Sequence, residues 1–486
     1  MVRAHTHVTL ITMAALLSAC GGGDGGGGGS TGATPVAATP TPQPTPAAAS
    51  CSLRDRQDWA ATQLREWYLF PETLPTTISP ASYTTVSDYI DALTATARAQ
   101  RKDRYFTYLT SIASEDSYYA SGASAGYGFR LSYDANARRI FVSESFEGTA
   151  AATAGIDRGA EIVAIGTNSA DVRTIDTIIA TQGTDGISDA LGPNTVGTTR
   201  VFRITDASGT RTLSVAKTDY ALIPVSSRYG AQILTDAGAQ VGYINLRSFI
   251  STADPALRSA FERFKAAGVT RVIVDVRYNG GGLVSIAELF ANLLGGARSP
   301  TDVIDYTTFR PEKSANNVTA FFAQQPQSIA PTRIAFIGTV DSASASELVI
   351  AQAIPYFHAN AALIGTNTYG KPVGQVALDR AQCDDRLRVI AFSLQNSARQ
   401  GAYYDGLSTI MEASCRAGDD LTHQMGDPQE ASTRAALDYL AGRTCTPITG
   451  TAGSQGTLSL RTSAKSLELI RPERPDTTQR EVPGSF

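Results

Sequence analysis

The sequence predicts an α/β fold for residues 219–446, because strand-like and helix-like stretches alternate there, as in layered α/β proteins. Runs of apolar and β-branched residues predict buried strands at 241–246, 272–276, 334–339 and 362–366. Residues 283–294 have the spacing of a helix that packs on such strands. Two regions precede this core, a small helical region at 51–120 and a β-rich module at 121–218.

Two helix boundaries in the core are predicted from individual residues. Asp254 followed by Pro255 is typical of a helix start, with the aspartate as the N-cap residue. Pro355 is predicted to end the helix that begins near Glu347, because proline cannot continue the backbone hydrogen-bond ladder. The last helix of the core is predicted at 433–440.

The first 20 residues have the composition of an export signal. Arg3 provides a positive charge, and the apolar stretch 8–17 is too short to span a bilayer as a mature helix. It ends in Leu-Ser-Ala-Cys, which resembles a bacterial lipobox and predicts diacylation of Cys20. An ordinary signal peptide cleaved nearby is the alternative. The sequence therefore predicts a membrane-anchored lipoprotein on the periplasmic or cell-surface side of a bacterial envelope.

Residues 21–50 and 447–486 are predicted to lie outside the folded regions. The first segment has a glycine-rich half and a Pro/Thr-rich half, which is typical of a linker that tethers a domain to a membrane. The second loses periodicity and gains Pro, Thr and Gly, so we expect a mostly disordered tail. The composition, with 42% hydrophobic residues and a net charge of −4, fits a globular protein that does not bind nucleic acid.

Four cysteines follow the signal: Cys51, Cys383, Cys415 and Cys445. An even number in an exported protein predicts two disulfide bonds. Of the three connectivities, we favour Cys383–Cys415, which would flank a strand pair, with Cys51–Cys445, because the ends of a folded region are often close. The spacing of these cysteines resembles no zinc site, and we predict neither a metal nor a cofactor.

Residues 341–375 contain the best candidates for catalysis. A predicted strand is followed by Ser-Ala-Ser-Ala-Ser at 342–346 and then by a helix, so a serine hydroxyl lies near the positive end of a helix dipole. Lys371 follows the next predicted strand and is one of only six lysines in the chain. This arrangement suits a serine nucleophile with a lysine general base. A plain helix cap by Ser342 or Ser344 is the alternative.

A glycine loop, Arg-Tyr-Asn-Gly-Gly-Gly at 277–282, connects the predicted strand 272–276 to a helix. Backbone N–H groups at a helix start favour negative charge, so the loop can supply half of an oxyanion hole. A phosphate cradle is disfavoured, because the Gly-Lys-Ser/Thr of a P-loop is absent. Glycines required only for tight helix–strand packing are the alternative.

These motifs resemble those of the carboxyl-terminal processing peptidases, also called tail-specific proteases. The resemblance rests on Ser-Ala-Ser-Ala-Ser-Glu at 342–347, Tyr-Gly-Lys-x-x-x-Gln at 369–375 and Asp-Val-Arg-Tyr-Asn-Gly-Gly-Gly at 275–282. It implies a ClpP/crotonase-like α/β core with Ser344 as the nucleophile, Lys371 as the base and Gln375 as support for the lysine. It also implies that the amides of Gly280 and Ala345 form the oxyanion hole.

The module at 121–218 resembles a PDZ domain inserted before the core. The resemblance rests on Gly126, Tyr127, Gly128 and Phe129, together with the glycine-containing stretches 148–156 and 159–165. It implies that the module binds a peptide C-terminus by strand addition, with the amides of the Gly-Tyr-Gly-Phe stretch holding the carboxylate. Taken alone, that stretch is also typical of a simple strand-entry turn.

The sequence thus predicts a serine endopeptidase that cleaves exported proteins, near their C-termini or through recognition of them, by a Ser/Lys acyl-enzyme mechanism. A Ser-His-Asp hydrolase is disfavoured, because no Gly-x-Ser-x-Gly elbow surrounds Ser344. The alternative is an inactive PDZ lipoprotein that binds peptide C-termini as a scaffold. The predicted partners are protein or peptide substrates with free C-termini and, through lipid on Cys20, a membrane.

Overall fold

The computed structural model describes residues 51–449 and 467–486. The predicted signal, its Cys20 and the linker at 21–50 lie outside the described residues. The described chain begins with helices and one strand: α1 (Leu53–Trp67), α2 (Val86–Leu93), α3 (Ala95–Ala99), β1 (Tyr108–Ser111) and α4 (Ile112–Ser121). The buried face of α1 packs on the core through Leu64, which belongs to the same apolar cluster as Val389.

A β-rich module follows. Its elements are β2 (Ala123–Gly126), β3 (Phe129–Asp134), β4 (Arg139–Ser145), α5 (Ala150–Thr153), β5 (Glu161–Gly166), β6 (Arg173–Thr174), α6 (Ile175–Gln182), α7 (Asp185–Leu191), β7 (Thr199–Asp206), β8 (Gly209–Ala216) and β9 (Thr218–Ala221). Strands β3, β4, β5, β7 and β8 lie side by side in one antiparallel sheet. Alternate residues of these strands, such as Phe129, Leu131 and Phe202, point into one apolar core.

The remaining elements form the core. They are β10 (Ala231–Asp236), β11 (Ala239–Asn245), α8 (Ala253–Ala266), β12 (Arg271–Asp275), α9 (Val284–Leu294), β13 (Val303–Phe309), β14 (Val318–Phe321), β15 (Arg333–Gly338), α10 (Ala345–Phe357), β16 (Ala361–Gly365), β17 (Val373–Arg380), β18 (Asp385–Asn396), β19 (Ala413–Arg416) and α11 (Ala431–Leu440). Short 3-10 turns connect several of them.

A six-stranded sheet of order β10-β11-β12-β15-β16-β19 is the centre of this core, and its strands are parallel from β11 onward. Helices α8, α9 and α10 share an apolar cluster with one face of the sheet, and α11 packs on the other face. The predicted α/β fold of this region is therefore confirmed. The loops that follow β12, β15 and β16 leave the sheet at one edge, which is where parallel sheets place ligand sites.

A second, antiparallel sheet lies beside the first. It pairs β18 with β1, β13 and β17, and β13 with β14. The chain passes from β16 in the first sheet to β17 in the second, and Lys371 lies in this connection. Residues of α1 and α2 cover β17 and β18, so the N-terminal helices contribute to the core of the second sheet.

Both predicted helix boundaries are wrong. Helix α10 continues through Pro355 to Phe357. The carbonyl of Ala351, which loses its helical partner to the proline, instead accepts a hydrogen bond of 3.1 Å from the Asn396 amide. Asp254 is not the N-cap residue, because α8 already begins at Ala253; its carboxylate pairs with the next turn instead, 2.7 Å from Arg258 Nε.

The tail at 447–486 was predicted to be mostly disordered, and this is wrong for its described part, 467–486. That part contains β20 (Glu468–Leu469), which pairs with β3, and α12 (Thr477–Glu481). Its last six residues are buried, with Phe486 at 4% exposure. Residues 450–466 lie outside the described residues. We refer to residues 467–486 as the tail segment.

The favoured disulfide pairing is also wrong, although all four cysteines are bonded. The pairs are Cys51–Cys383 and Cys415–Cys445, with Cα–Cα distances of 5.6 and 5.4 Å. The start of α1 lies against the turn between β17 and β18, where Arg56 also forms an ion pair with Asp385. The second pair connects β19 to the chain after α11, because α11 folds back on the sheet.

Candidate active site

The predicted nucleophile lies in a tight turn that leads from β15 into α10; we call residues 342–346 the serine turn. Ser344 has φ 56° and ψ −116°, an unusual conformation for a residue with a side chain, and such strain costs about 1–3 kcal/mol. Two neighbouring serines tie the turn to the glycine loop. Ser342 Oγ donates to the carbonyl of Val276 (2.7 Å), and Ser346 Oγ donates to that of Asn279 (2.9 Å). Ser344 is the N-cap residue of α10, so the predicted helix-cap and nucleophile roles fall on the same residue.

The glycine loop after β12 contacts this turn directly. Asn279 shapes the loop: its side chain accepts from the Gly281 N–H (2.9 Å) and donates to the Leu246 carbonyl (2.8 Å). A Cβ on Gly281 would lie 2.7 Å from Ser344 Cβ, and the φ of Gly281 is 122°. Only glycine fits such an approach. Tight packing therefore explains Gly281, whereas the Gly280 N–H points out of the loop and donates to the carbonyl of Glu481 in the tail segment (2.9 Å).

The predicted base lies in the connection from β16 to β17. Lys371 Nζ donates to Gln375 Oε1 (3.2 Å) and lies 5.1 Å from the centre of the Phe106 ring. The Gln375 amide in turn donates to the Phe106 carbonyl. Among the described residues no carboxylate forms an ion pair with Lys371. Burial lowers the pKa of Lys371, and the nearby Glu481 carboxylate opposes this effect. Gln375 thus holds the amine without adding charge.

Glu347 connects the serine turn to the loop 366–372 that contains Lys371, which we call the lysine loop, and it is not among the predicted site residues. Its carboxylate is fully buried and accepts four hydrogen bonds. Oε1 accepts from Thr368 Oγ1 (2.6 Å) and the Gly370 N–H (2.7 Å), and Oε2 accepts from the N–H groups of Lys371 (2.7 Å) and Ser344 (3.2 Å). Burial raises the pKa of Glu347, and these hydrogen bonds oppose that effect. The Ser-x-x-Glu spacing of a capping box was the available signal.

The backbone N–H groups of Ser344 and Lys371, the predicted nucleophile and base, therefore both donate to Oε2 of Glu347. No hydrogen bond connects the Ser344 hydroxyl to the Lys371 amine among the described residues. Arg104, in the N-terminal helical region, supports the lysine loop from the other side. It donates to the carbonyls of Tyr369 (2.7 Å) and Gly370 (2.5 Å). The N-terminal helical region therefore packs against the loop that contains Lys371.

The Gly-Tyr-Gly-Phe stretch lies at the entry of β3. Tyr127 and Phe129 are fully buried in the module's core, so their side chains are structural. A Cβ on Gly128 would lie 2.2 Å from Thr149, and its φ of 83° also favours glycine. The Gly128 N–H donates to the backbone oxygen of Phe486 (3.0 Å). The edge of β3 and this amide form a groove, which we call the β3 groove, and the tail segment occupies it.

Within the described residues, no cluster of three or more His, Cys, Asp or Glu side chains has the arrangement of a metal site. No helix in 51–449 or 467–486 is both long and apolar enough to cross a bilayer.

The oxyanion partner predicted at Ala345 is the first residue of α10, and its nitrogen would lie 3.1 Å from a Cβ on Gly281. The serine turn, the glycine loop and the lysine loop therefore meet at the carboxyl edge of the central sheet.

Residues 240–396 match the model of peptidase family S41. This segment contains the glycine loop, the serine turn and the lysine loop. Curated relatives of the chain confirm the predicted resemblance to carboxyl-terminal processing peptidases. The chain is 25% identical over 256 residues to a carboxyl-terminal-processing protease of Picosynechococcus sp., which covers 52% of this chain and 55% of that protein. It is 29% identical over 224 residues to carboxyl-terminal-processing peptidase 1, chloroplastic, of Arabidopsis thaliana, with 46% and 42% covered.

The chain thus spans about half the length of the curated relatives that it matches. A solved structure from Bacteroides fragilis, assigned to the S41 proteases, is 21% identical and superposes with a TM-score of 0.61. The superposition covers 79% of this chain and 97% of that one. At this identity the likeness concerns the fold, and it extends beyond the S41 segment to most of the described chain.

Proposed function

We propose that this chain is a serine endopeptidase in which Ser344 attacks a peptide carbonyl and Lys371 is the general base. The observation that carries the proposal is the contact between the Gly280 N–H and a peptide carbonyl, that of Glu481, beside the strained Ser344 turn. A backbone amide that already binds a peptide carbonyl next to a serine is suited to an oxyanion. The match of 240–396 to family S41 supports the same chemistry.

In the proposed mechanism the neutral amine of Lys371 takes the proton of the Ser344 hydroxyl as Oγ bonds to the substrate carbonyl carbon. The N–H groups of Gly280 and Ala345 hold the oxyanion; removal of one such donor typically costs about 3 kcal/mol of barrier. The C–N bond then breaks, and the Lys371 ammonium returns its proton to the departing amine. A water molecule, deprotonated by Lys371, hydrolyses the acyl-enzyme and restores the serine. Gln375 keeps the amine oriented through its Oε1.

The β-rich module is proposed to act as a PDZ domain that selects substrates by their C-termini. The Gly128 N–H and the edge of β3 that does not pair with β4 offer the hydrogen bonds that strand addition requires, and the tail segment now uses them. Export and lipidation at Cys20 are proposed from the sequence alone, with exported proteins as the substrates. Two acyl chains would give the stable anchoring that one chain does not. Replacing Cys20 by alanine should release the protein from the membrane fraction; retention there would contradict lipidation.

The test of the proposed mechanism compares Ser344→Ala, Lys371→Ala and Lys371→Arg with the unchanged protein on an unfolded protein substrate. Arginine keeps the charge but does not accept a proton, so all three variants should lose hydrolysis and acyl-enzyme formation. Lys265→Arg is the control, because Lys265 is an exposed residue of α8 far from the site in sequence. Near-normal turnover of Lys371→Arg alongside an inactive Ser344→Ala would show that another group is the base.

A further inference from the structure

The tail segment occupies both parts of the proposed substrate site at once. At one end, Phe486 adds to β3: its backbone oxygen accepts from the Gly128 N–H (3.0 Å), and its N–H donates to the Phe129 carbonyl (3.0 Å). A few residues earlier in the chain, the Glu481 carbonyl accepts from the Gly280 N–H (2.9 Å). A Cβ on Gly280 would lie 2.1 Å from the carbonyl oxygen of Arg480, so the segment lies directly on the glycine loop.

Side chains anchor the segment in the same places. Phe486, 4% exposed, belongs to the apolar core of the β-rich module, and Val482 is fully buried among residues of α4 and the core. Arg471 donates to the Asp341 carboxylate at 2.5 Å, beside the serine turn. Arg480 donates to the Tyr105 carbonyl at 3.1 Å. The segment therefore contacts all three predicted regions of the folded chain.

We propose that the tail segment is an intramolecular inhibitor, which fills the β3 groove and takes the Gly280 amide so that hydrolysis requires its displacement. This inference rests on the proposed peptidase function. The competing occupant is an unfolded protein chain, whose backbone must use the same two amides. A substrate whose end adds to β3 displaces the segment from the groove and thereby frees the glycine loop.

The conformation of the segment favours inhibition over its own cleavage. The bond after Glu481 follows a helical turn, α12, and the Val482 N–H donates to the Thr478 carbonyl (2.7 Å). The nitrogen that would have to leave as an amine is thus held within that turn. Glu481 also lies near the proposed base: its carboxylate is buried and accepts from the Tyr119 hydroxyl (3.0 Å), and its charge opposes the lowering of the Lys371 pKa by burial.

One experiment compares three states of the full chain on an unfolded protein substrate. Phe486→Asp places a charge in an apolar core and should release the segment. Thr110→Cys/Thr477→Cys is designed to lock it by a disulfide bond, because the hydroxyl oxygens of Thr110 and Thr477 are only 3.3 Å apart. Val196→Asp is the matched control for the first variant, because Val196 is 52% exposed. Hydrogen exchange of 467–486 reports release independently of activity.

If the open state is about a tenth of the population, release raises the rate about tenfold. We expect that increase in Phe486→Asp, with lost protection of 481–486, and no change in Val196→Asp. We expect the oxidised cysteine pair to lower the rate and reduction to restore it, relative to the unchanged protein under the same reductant. The locked variant leaves Phe486 unchanged, so it tests inhibition even where Phe486→Asp disturbs the module.

The inference is overturned if the oxidised pair is as active as the reduced one, or if a released segment leaves the rate unchanged. Cleavage after Glu481 in the unchanged protein, absent in Ser344→Ala, would make the segment a substrate and overturn it as well. None of these results contradicts the proposed peptidase function. Absence of hydrolysis in every variant, including one with a released segment, refutes the proposed function and therefore also the proposed inhibition.

Discussion

At the scale of single residues, the site depends on one buried carboxylate. Glu347 accepts backbone N–H groups from both the serine turn and the lysine loop, so its position sets the distance between the two proposed catalytic residues. It touches no reacting atom in the proposed mechanism and is therefore a positioning residue. Hydrogen bonds to a charged group contribute roughly 1.5–3 kcal/mol each, so the carboxylate both stabilises and aligns these loops.

We predict that Glu347→Gln lowers kcat by at least about tenfold, because a misplaced loop costs more than 1.4 kcal/mol of barrier, while KM changes little. The amide would direct a donor at one of the N–H groups that now donate to the carboxylate. Glu412→Gln, at an exposed glutamate, is the control. A variant with normal kcat and a lowered melting temperature would show that Glu347 only stabilises the fold.

The pH dependence should follow Lys371. Burial lowers its pKa, the Glu481 and Asp103 charges oppose this, and the Arg480 and Arg388 charges act with burial. A base must be neutral, so kcat/KM should fall as pH drops below the lysine pKa and reach a plateau above it. Glu481→Gln removes a charge that raises this pKa, so the rise should move to lower pH. An unchanged pH profile of kcat/KM in Glu481→Gln would show that the Glu481 charge does not act on the titrating group.

At the scale of elements, the glycine loop and the serine turn form one packed unit. Gly281→Ala should destabilise the protein by about 1–3 kcal/mol and abolish hydrolysis, because it combines a positive φ with a Cβ 2.7 Å from that of Ser344. Gly238→Ala is the matched control: its φ is 78°, but nothing lies within 4 Å of the added Cβ. Denaturant unfolding and turnover are the measurements. Equal effects of the two substitutions would mean that backbone strain alone, rather than the contact with Ser344, is responsible.

Elements with a strong local pattern could be predicted from the sequence. The buried strands β12, β15 and β16 are short apolar runs whose type does not depend on their partners. The predictions that were wrong concern features that depend on tertiary contacts. The amide that replaces the missing partner of Ala351 comes from Asn396, and no local rule at Pro355 could reveal it. Cys51 meets Cys383 because α1 packs on β18, and that docking leaves no trace in cysteine spacing.

More of the candidate site than of the tail segment could be predicted from the sequence. Ser344, Lys371, Gln375 and Gly280 lie in motifs whose residues meet at one sheet edge, so their proximity follows from the fold. Glu347 belongs to one of those motifs, yet its role requires knowing that two loops converge on it. The segment 467–486 has little periodicity of its own. It is ordered by contacts with β3, the glycine loop and α4, which involve residues hundreds of positions away.

At the scale of the whole molecule, buried ion pairs hold the β-rich module against the core. Glu144 of the module lies 2.6 Å from Arg247 of the core, and each side chain is 1% exposed. Arg158 of the module likewise contacts Asp419, at 2.8 Å. Breaking one partner of such a buried pair typically costs about 3–5 kcal/mol, so the module is held in a defined position. The β3 groove and the glycine loop consequently keep a fixed separation, which one continuous peptide can span.

This fixed geometry predicts that the end of a substrate matters for cleavage elsewhere in it. A free carboxylate at the Gly128 N–H makes a charge-assisted hydrogen bond, roughly twice as strong as the neutral one that an amide makes. Amidating the substrate's C-terminus should therefore raise KM by about tenfold, which corresponds to 1.4 kcal/mol, with kcat nearly unchanged. The same peptide acetylated at its N-terminus is the control, because that change also removes one charge.

Equal kinetics for the acid and the amide, across several peptides and in Phe486→Asp as well as in the unchanged protein, would show that the β3 groove does not select substrates. A loss that appears only in the unchanged protein would instead mean that the carboxylate serves to displace the tail segment rather than to hold the substrate during cleavage.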